Sequence, residues 1–208
     1  QAELVTISLN GNVKKFKDAA IFTSMNFSPD GNYLMVTTIQ KPYSYIVPLN
    51  RFPMNTTIFD RSGSLVKVVN ESPLNEIMPK GFSSVKTGKR NINWRDDQPS
   101  TLVFAEALDG GDQAKNVEFR DEIFVWEAPF AAAPKSFFKT KQRFDGIDWT
   151  NGDYAIISDE WYDTRNTKSY LYNLKDNSSK IIIDRNSQDV YSDPGSFTET
   201  KNKFGRNV

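Results

Sequence analysis

The side chains here that could do chemistry are carboxylates, hydroxyls, lysines and arginines, because the sequence contains neither His nor Cys. That excludes Ser-His-Asp and Cys-His catalytic units, ordinary zinc sites and any disulfide framework, and leaves all-oxygen ligation as the only metal chemistry. Asp109, Asp112, Asp159 and Glu160 are the acids whose type could serve glycoside hydrolysis, which needs two carboxylates at a defined separation. Spacing along a chain does not set spacing in space, and acid-rich turns are common, so the expected role of these four is structural. Asp109-Gly110-Gly111-Asp112 offers oxygens of the kind calcium takes but lacks the Asp-x-Asp-x-Asp-Gly spacing. No catalytic residue, metal site or cofactor is therefore expected.

The 208 residues are enough for one domain or two small ones with a sizeable core. With 26 basic and 26 acidic side chains the formal net charge is zero, which argues against a nucleic-acid partner, since that needs a basic excess on one face. No apolar run approaches the about 18 residues of a membrane span, and the N-terminus lacks the basic and apolar regions of a signal peptide. Zero Cys suits either a reducing cytoplasm or a bacterial envelope; the compartment stays open, with a lean towards the periplasm or secretion. Matches to the Asn-x-Ser/Thr acceptor pattern, such as those at Asn55, Asn70 and Asn177, do not establish secretion in a chain rich in Asn and Ser. The chain opens on Gln1 and ends at Val208 without a charged tail, which suggests a piece of a longer protein.

The elements that must position any site are strands. Aromatic residues make up 13 % of the chain, and short β-rich runs at 4–9, 33–39, 101–105 and 154–158 recur between turn signals. An incoming unit of aromatic, polar turn and strand appears three times. It reads Phe27-Ser28-Pro29-Asp30-Gly31-Asn32, Trp94-Arg95-Asp96-Asp97-Gln98-Pro99 and Trp149-Thr150-Asn151-Gly152-Asp153, each ahead of one of the last three runs. An outgoing hairpin appears four times, returning through 13–16, 65–69, 135–138 and 180–183, with Asn10-Gly11 and Ser62-Gly63 supplying turn residues that tolerate positive φ.

One incoming and one outgoing hairpin make a four-stranded antiparallel sheet. The expected fold is all-β, a partial β-propeller of about three blades plus flanking strands. Residues 1–17 would end a preceding blade, 18–71, 72–140 and 141–184 would be blades, and 185–208 would lead into the next. The anchors at 27, 94 and 149 lie further apart than the roughly 40–50 residues of a typical blade. Insertions at 41–55, 72–88 and 108–119 account for the excess; Pro73 and Pro79 bracket a possible helical turn in the second, and such loops on one rim are where binding is usually placed. Three blades fall short of the roughly 4–8 of a closed ring, so a neighbour, further blades or self-association should cover the open faces. Phe27, Trp94 and Trp149 are read as core aromatics between blades, and Trp126 as a further packing residue.

Particular segments also carry a family resemblance. Phe27-Ser28-Pro29-Asp30-Gly31, Tyr43-Ser44-Tyr45-Ile46-Val47-Pro48 with Arg51-Phe52-Pro53, and Ser84 through Arg90 resemble the propeller of glutamyl endopeptidase-like members of the prolyl oligopeptidase family. So do Trp94-Arg95, Ala107-Leu108-Asp109-Gly110-Gly111-Asp112, Phe119-Arg120-Asp121, Ala128-Pro129-Phe130, Glu160-Trp161-Tyr162-Asp163-Thr164-Arg165 and Asp193-Pro194-Gly195-Ser196. The first motif recurs in many propellers; the Ala-Leu-Asp-Gly-Gly-Asp and Tyr-Ser-Tyr-Ile-Val-Pro motifs are more specific. The resemblance implies a parent serine peptidase in which an N-terminal propeller covers a C-terminal α/β-hydrolase domain carrying a Gly-x-Ser-x-Gly elbow followed by Asp and His. This sequence has no such elbow and no His, so the segment itself should be catalytically inert. Its implied role is to gate and orient peptide substrates, with a preference for Glu.

Holding a glutamyl carboxylate away from water calls for Arg, whose guanidinium pairs bidentately. Arg51, Arg90 and Arg165, inside the resembling segments and near inserted loops, are the expected substrate-binding residues, with Trp161 beside Arg165 facing the peptide. The competing role for each Arg is a structural one, paired to an acid such as Asp121 or Asp163; for Trp161 it is core packing. The rival functions are a stand-alone TolB- or WD-like propeller that binds a protein or glycan, and a glycan-processing enzyme using the acids above.

Overall fold

A computed structural model describes residues 1–150 and 152–208; Asn151 in the third expected turn lies outside the described residues. The chain divides into two compact units, Gln1–Ile77 and Met78–Val208. Both are built from antiparallel strands, and no α-helix occurs among the described residues.

In the first unit, β1 (Ala2–Ile7), β2 (Val13–Phe27), β3 (Tyr33–Ile39), β4 (Met54–Asp60) and β5 (Leu65–Ser72) follow one another in a single sheet. The long β2 serves two partners. Its first half pairs with β1, Ile7 opposite Val13, and its second half pairs with β3, Phe27 opposite Leu34. The strand therefore runs straight through the 17/18 position. β3 is the most buried strand of this sheet, and Leu34, Met35 and Val36 are all buried. Burial on both faces explains why its sequence reads as a continuous apolar run rather than an alternation. The β4–β5 turn closes on Asp60, whose Oδ1 accepts from the backbone N–H of Ser62 and of Ser64 at 2.8 and 3.0 Å, with Gly63 at φ +90°.

The second unit holds two four-stranded sheets. One is β6 (Arg90–Trp94), β7 (Thr101–Ala107), β8 (Asp121–Glu127) and β9 (Lys135–Thr140); the other is β10 (Arg143–Trp149), β11 (Tyr154–Trp161), β12 (Asn166–Asn173) and β13 (Ser179–Asn186). Only Lys141 and Gln142 separate β9 from β10, so the chain passes from one sheet to the next through a tight corner. Val103, Ala105 and Ile123 of the first sheet share a core with Phe144, Trp149, Ala155, Ile157 and Tyr172 of the second. Phe137 on β9 meets Tyr172 edge-on at 4.9 Å and Trp149 at 5.4 Å, and the Arg95 guanidinium lies 3.8 Å over the Trp149 ring.

Sequential up-and-down strands in separate, unclosed sheets are the architecture of a partial β-propeller. Two local expectations differ from the structure. Trp94 and Trp149 are 6 % and 4 % exposed, but Phe27 is 54 % exposed: only the β1–β2 hairpin stands on its side, whereas Trp149 has a full sheet against it. The segment bracketed by Pro73 and Pro79 forms no helical turn; the short 3-10 turn lies instead at Leu49–Arg51 in the 41–53 loop. Proline at 79 removes a donor inside such a turn and disfavours helical backbone at Met78.

Candidate functional site

Between the two sheets of the second unit lies a buried ion network. Arg143, at the start of β10, donates from Nη2 to Asp109 Oδ2 at 2.6 Å and from Nη1 to Asp109 Oδ1 at 3.0 Å, a bidentate pair. The same Nη1 reaches Asp121 Oδ1 at 3.2 Å, and Nε donates to the Ser83 carbonyl at 2.6 Å. Arg90 pairs with Asp121, whose Oδ2 also accepts from the Phe144 N–H at 2.7 Å. Arg120 donates to Asp109 Oδ2 at 3.0 Å and to the carbonyls of Gln113 and Lys115. Burial pushes the Asp109 carboxyl up, but the hydrogen bonds from Arg143 and Arg120 outweigh it and hold the group below its usual range. This network joins the inserted 108–119 loop, the 83–90 segment and the β9–β10 corner.

Upon that base sits an aromatic and cationic surface. The Arg120 guanidinium lies 4.6 Å over Trp161. Next in the chain, Tyr162 has Phe82 stacked on it at 4.3 Å and the Arg165 guanidinium at 3.5 Å from its ring centre. Arg165 adopts φ +56°, with its N–H donating to the Tyr162 carbonyl at 3.2 Å and its own carbonyl accepting from Ser187 at 2.7 Å. Left-handed backbone at a non-glycine residue is uncommon, and here the turn and the stacked side chain hold it. Arg165 makes no ion pair among the described residues: Asp163 accepts instead from Gln113 Nε2 at 3.0 Å. A flat, half-buried guanidinium with unused N–H donors is suited to receive a carboxylate.

Arg51 belongs to the first unit. It ends the Leu49–Arg51 turn, its carbonyl accepts from Asn75 N–H at 2.9 Å, and it makes no ion pair among the described residues. Around it the loop exposes Tyr43, Tyr45, Ile46 and Leu49, with Ile77 nearby in the chain segment that Ser44 ties down through Glu76 at 2.9 Å.

The structure thus places the four expected residues differently. Arg165 and Trp161 share one turn and face other side chains of the second unit. Arg90 is 8 % exposed and neutralises Asp121, the structural arrangement set against binding in the sequence. Sequence reasoning missed Arg120, Arg143, Tyr162 and Phe82 as members of the assembly. Arg120 and Tyr162 do fall inside quoted motifs; nothing local to Arg143 or Phe82 marks them. The four acids do not form a two-carboxylate centre: Asp109 is held by Arg143 and Arg120, while Asp159 is buried on β11 with Gln142 and Tyr170. No acid-rich cluster able to hold a metal occurs among the described residues.

By its strand order and open sheets this is a propeller-class chain, and comparison with known proteins places it more closely. It is 40 % identical over 199 residues to a probable chloroplastic glutamyl endopeptidase of rice and 41 % identical to that of Arabidopsis thaliana, in each case covering 94 % of this chain. The resemblance to the propeller region of glutamyl endopeptidase-like members of the prolyl oligopeptidase family therefore holds across nearly the whole sequence. The chain spans about one fifth of the length of those relatives, 21 % of each. No protein-family profile matches it. Among solved structures, the fold is shared with acylaminoacyl peptidase from Pyrococcus horikoshii, at TM-score 0.50 and 17 % identity over 86 % of this chain and 28 % of the other. An oligogalacturonate lyase has the same TM-score of 0.50 at 10 % identity, over 88 % of this chain and 48 % of the other. Among the described residues, no helix is long and apolar enough to cross a membrane.

Proposed function

We propose that this chain is the non-catalytic propeller region of a prolyl-oligopeptidase-like serine peptidase, gating and orienting peptides with a preference for acidic, glutamyl-containing ones. The observation that carries this reading is the 40 % identity, over 94 % of the chain, to glutamyl endopeptidases. The chemistry is consistent with it. Neither Arg51 nor Arg165 makes an ion pair among the described residues, although the chain contains as many acids as bases. Arg165 and Trp161 lie on a turn braced by the buried network, so a carboxylate received there would meet a fixed guanidinium, a contribution of position rather than of bond chemistry. Arg90 acts one layer below, by fixing Asp121 and so the network. The nucleophile, its base and the orienting acid would come from an α/β-hydrolase domain elsewhere in the same protein.

The test is steady-state kinetics of the full-length protein with matched peptides that differ only in Glu against Gln. Arg165→Met should lower kcat/KM for the Glu peptide by about 10- to 100-fold, the range of a hydrogen-bonded charge pair, and leave the Gln peptide within about twofold. An equal loss for both peptides would refute acidic recognition by Arg165. A full-length protein that hydrolyses neither peptide would favour the stand-alone binding propeller.

A further inference from the structure

Three of the buried carboxylates in the second unit have a guanidinium: Asp97 has Arg95, Asp109 has Arg143 and Arg120, and Asp121 has Arg90 and Arg143. Asp159 has none. It is fully buried on β11, and its Oδ2 accepts from the Gln142 backbone N–H at 3.1 Å and from the Tyr170 hydroxyl at 3.2 Å. Its Oδ1 has no hydrogen-bond partner among the described residues, and neither has the buried Oε1 of Gln142. Both orphans are acceptors, and they belong to two residues already in contact. Two buried acceptors without a donor are costly, and a single proton would satisfy both.

We propose that Asp159 folds with its proton on, that Oδ1–H donates to Gln142 Oε1, and that losing this proton at higher pH loosens the β9–β10 corner from the β11–β12 turn. The step moves one proton from Oδ1 to solvent as the pH rises, and the carboxyl O–H is the one bond it breaks. The charges around Asp159 allow it. Lys168, opposite on β12, is engaged with Asp184 of β13 at 3.0 Å. Lys141, in the corner, contributes a backbone hydrogen bond. Arg143 on β10 is turned to Asp109 and Asp121, Arg165 lies beyond the strand end, and Glu160 is the acidic neighbour in the chain. Tyr170 donates and stays neutral, its own ionisation pushed up by burial and by Asp159. Burial also raises the Asp159 carboxyl, to about 6.

The consequence follows the hydrogen bonds. Gln142 Nε2 donates to Asn166 Oδ1, and Asn166 pairs with Trp161 across β12 and β11 while donating to Asp184 and the Arg185 carbonyl. A proton on Asp159 therefore ties the corner to the base of the turn that carries Trp161, Tyr162 and Arg165. This holds whether or not that turn binds peptide.

Infrared titration of the wild-type chain should show a protonated carboxyl band that disappears between about pH 5 and 7 and is missing in Asp159→Asn. The amide of that variant mimics the protonated acid, donating to Gln142 and accepting from Tyr170. Its melting temperature should stay level where that of the wild type falls by about 5 °C or more from pH 5 to pH 8. Gln142→Met, which removes the acceptor, should move the band's titration to lower pH. Titration of every carboxyl below pH 5, or identical pH profiles for wild type and Asp159→Asn, would overturn the proposal. The infrared titration uses the wild-type chain, so it stands even if a variant fails to fold.

Discussion

Buried charge in this protein is handled in two opposite ways, and each gives a signed pH dependence. Asp109 is held below its usual range against the pull of burial by Arg143 and Arg120. A depressed carboxyl contributes stability above its unfolded value, and that contribution is lost as pH falls through the folded value. Asp109→Asn leaves two guanidiniums short of a partner, so it should cost about 3–5 kcal/mol at neutral pH, measured as a lower urea midpoint with unchanged slope. The gap between variant and wild type should narrow in strong acid. Asp159 is raised instead, from 3.8 to about 6. Its stability contribution is complete below the unfolded value and lost as pH rises through the folded one, at most about 3 kcal/mol for a shift of this size. Arg165 is the third case, a cation stacked on Tyr162 with its donors unspent, and the Glu/Gln peptide comparison tests it.

At the level of elements, one repeat position has two contrasting environments. Phe27, Trp94 and Trp149 each stand opposite the second residue of the following strand, Leu34, Leu102 and Ala155. Trp149 has both Phe137 and the Arg95 guanidinium against it, whereas Phe27 borders an apolar groove of about 470 Å³ lined by Leu4, Val5, Phe16 and Met25. Trp149→Ala should therefore cost about 3–5 kcal/mol and Phe27→Ala under about 1 kcal/mol, a contrast that chemical denaturation can read. Equal costs would mean that the groove is filled in solution. Gly111 makes a second element-level case. It sits at φ +80°, its carbonyl accepts from Val85 N–H at 3.0 Å, and a Cβ there would lie 1.9 Å from the Val85 carbonyl oxygen. Because the obstacle is backbone, Gly111→Ala should separate the 83–88 segment from the 108–112 turn. The expected readout is faster amide exchange at Val85 together with a loss of at least about 1–3 kcal/mol.

For the whole molecule, the exposed apolar side chains are concentrated on certain elements. Ile7, Leu9 and Val13 lie exposed on the first hairpin, and Ile181 and Ile182 on the last strand. β1 and β13 are edge strands, and exposed apolar side chains on an edge favour pairing with another chain. The isolated chain should show concentration-dependent association by light scattering, reduced by charge placed at Ile7 and Val13. A strictly monomeric chain at high concentration would mean that these faces are too small or too divided to associate.

The all-β class, the turn-anchored strands and the four hairpins were legible in the sequence because local interactions determine them. A continuous apolar run such as 33–39, bounded by Gly31 and Pro42, has few alternatives to a buried strand, and Asn-Gly or Ser-Gly between such runs turns in only a few ways. The family resemblance was legible for a similar reason, since its motifs are contiguous. The site was legible only in part. That Arg90 meets Asp121, that Asp163 turns to Gln113 and leaves Arg165 stacked, and that Phe27 alone of its repeat set is exposed all depend on partners tens of residues away. Pairing of buried charges is decided by which strands face each other, and sequence spacing carries no measure of that distance. Tertiary structure alone therefore paired Arg90 with Asp121, left Arg51 and Arg165 without an ion pair among the described residues, and showed Asp159 as a buried acid with no guanidinium.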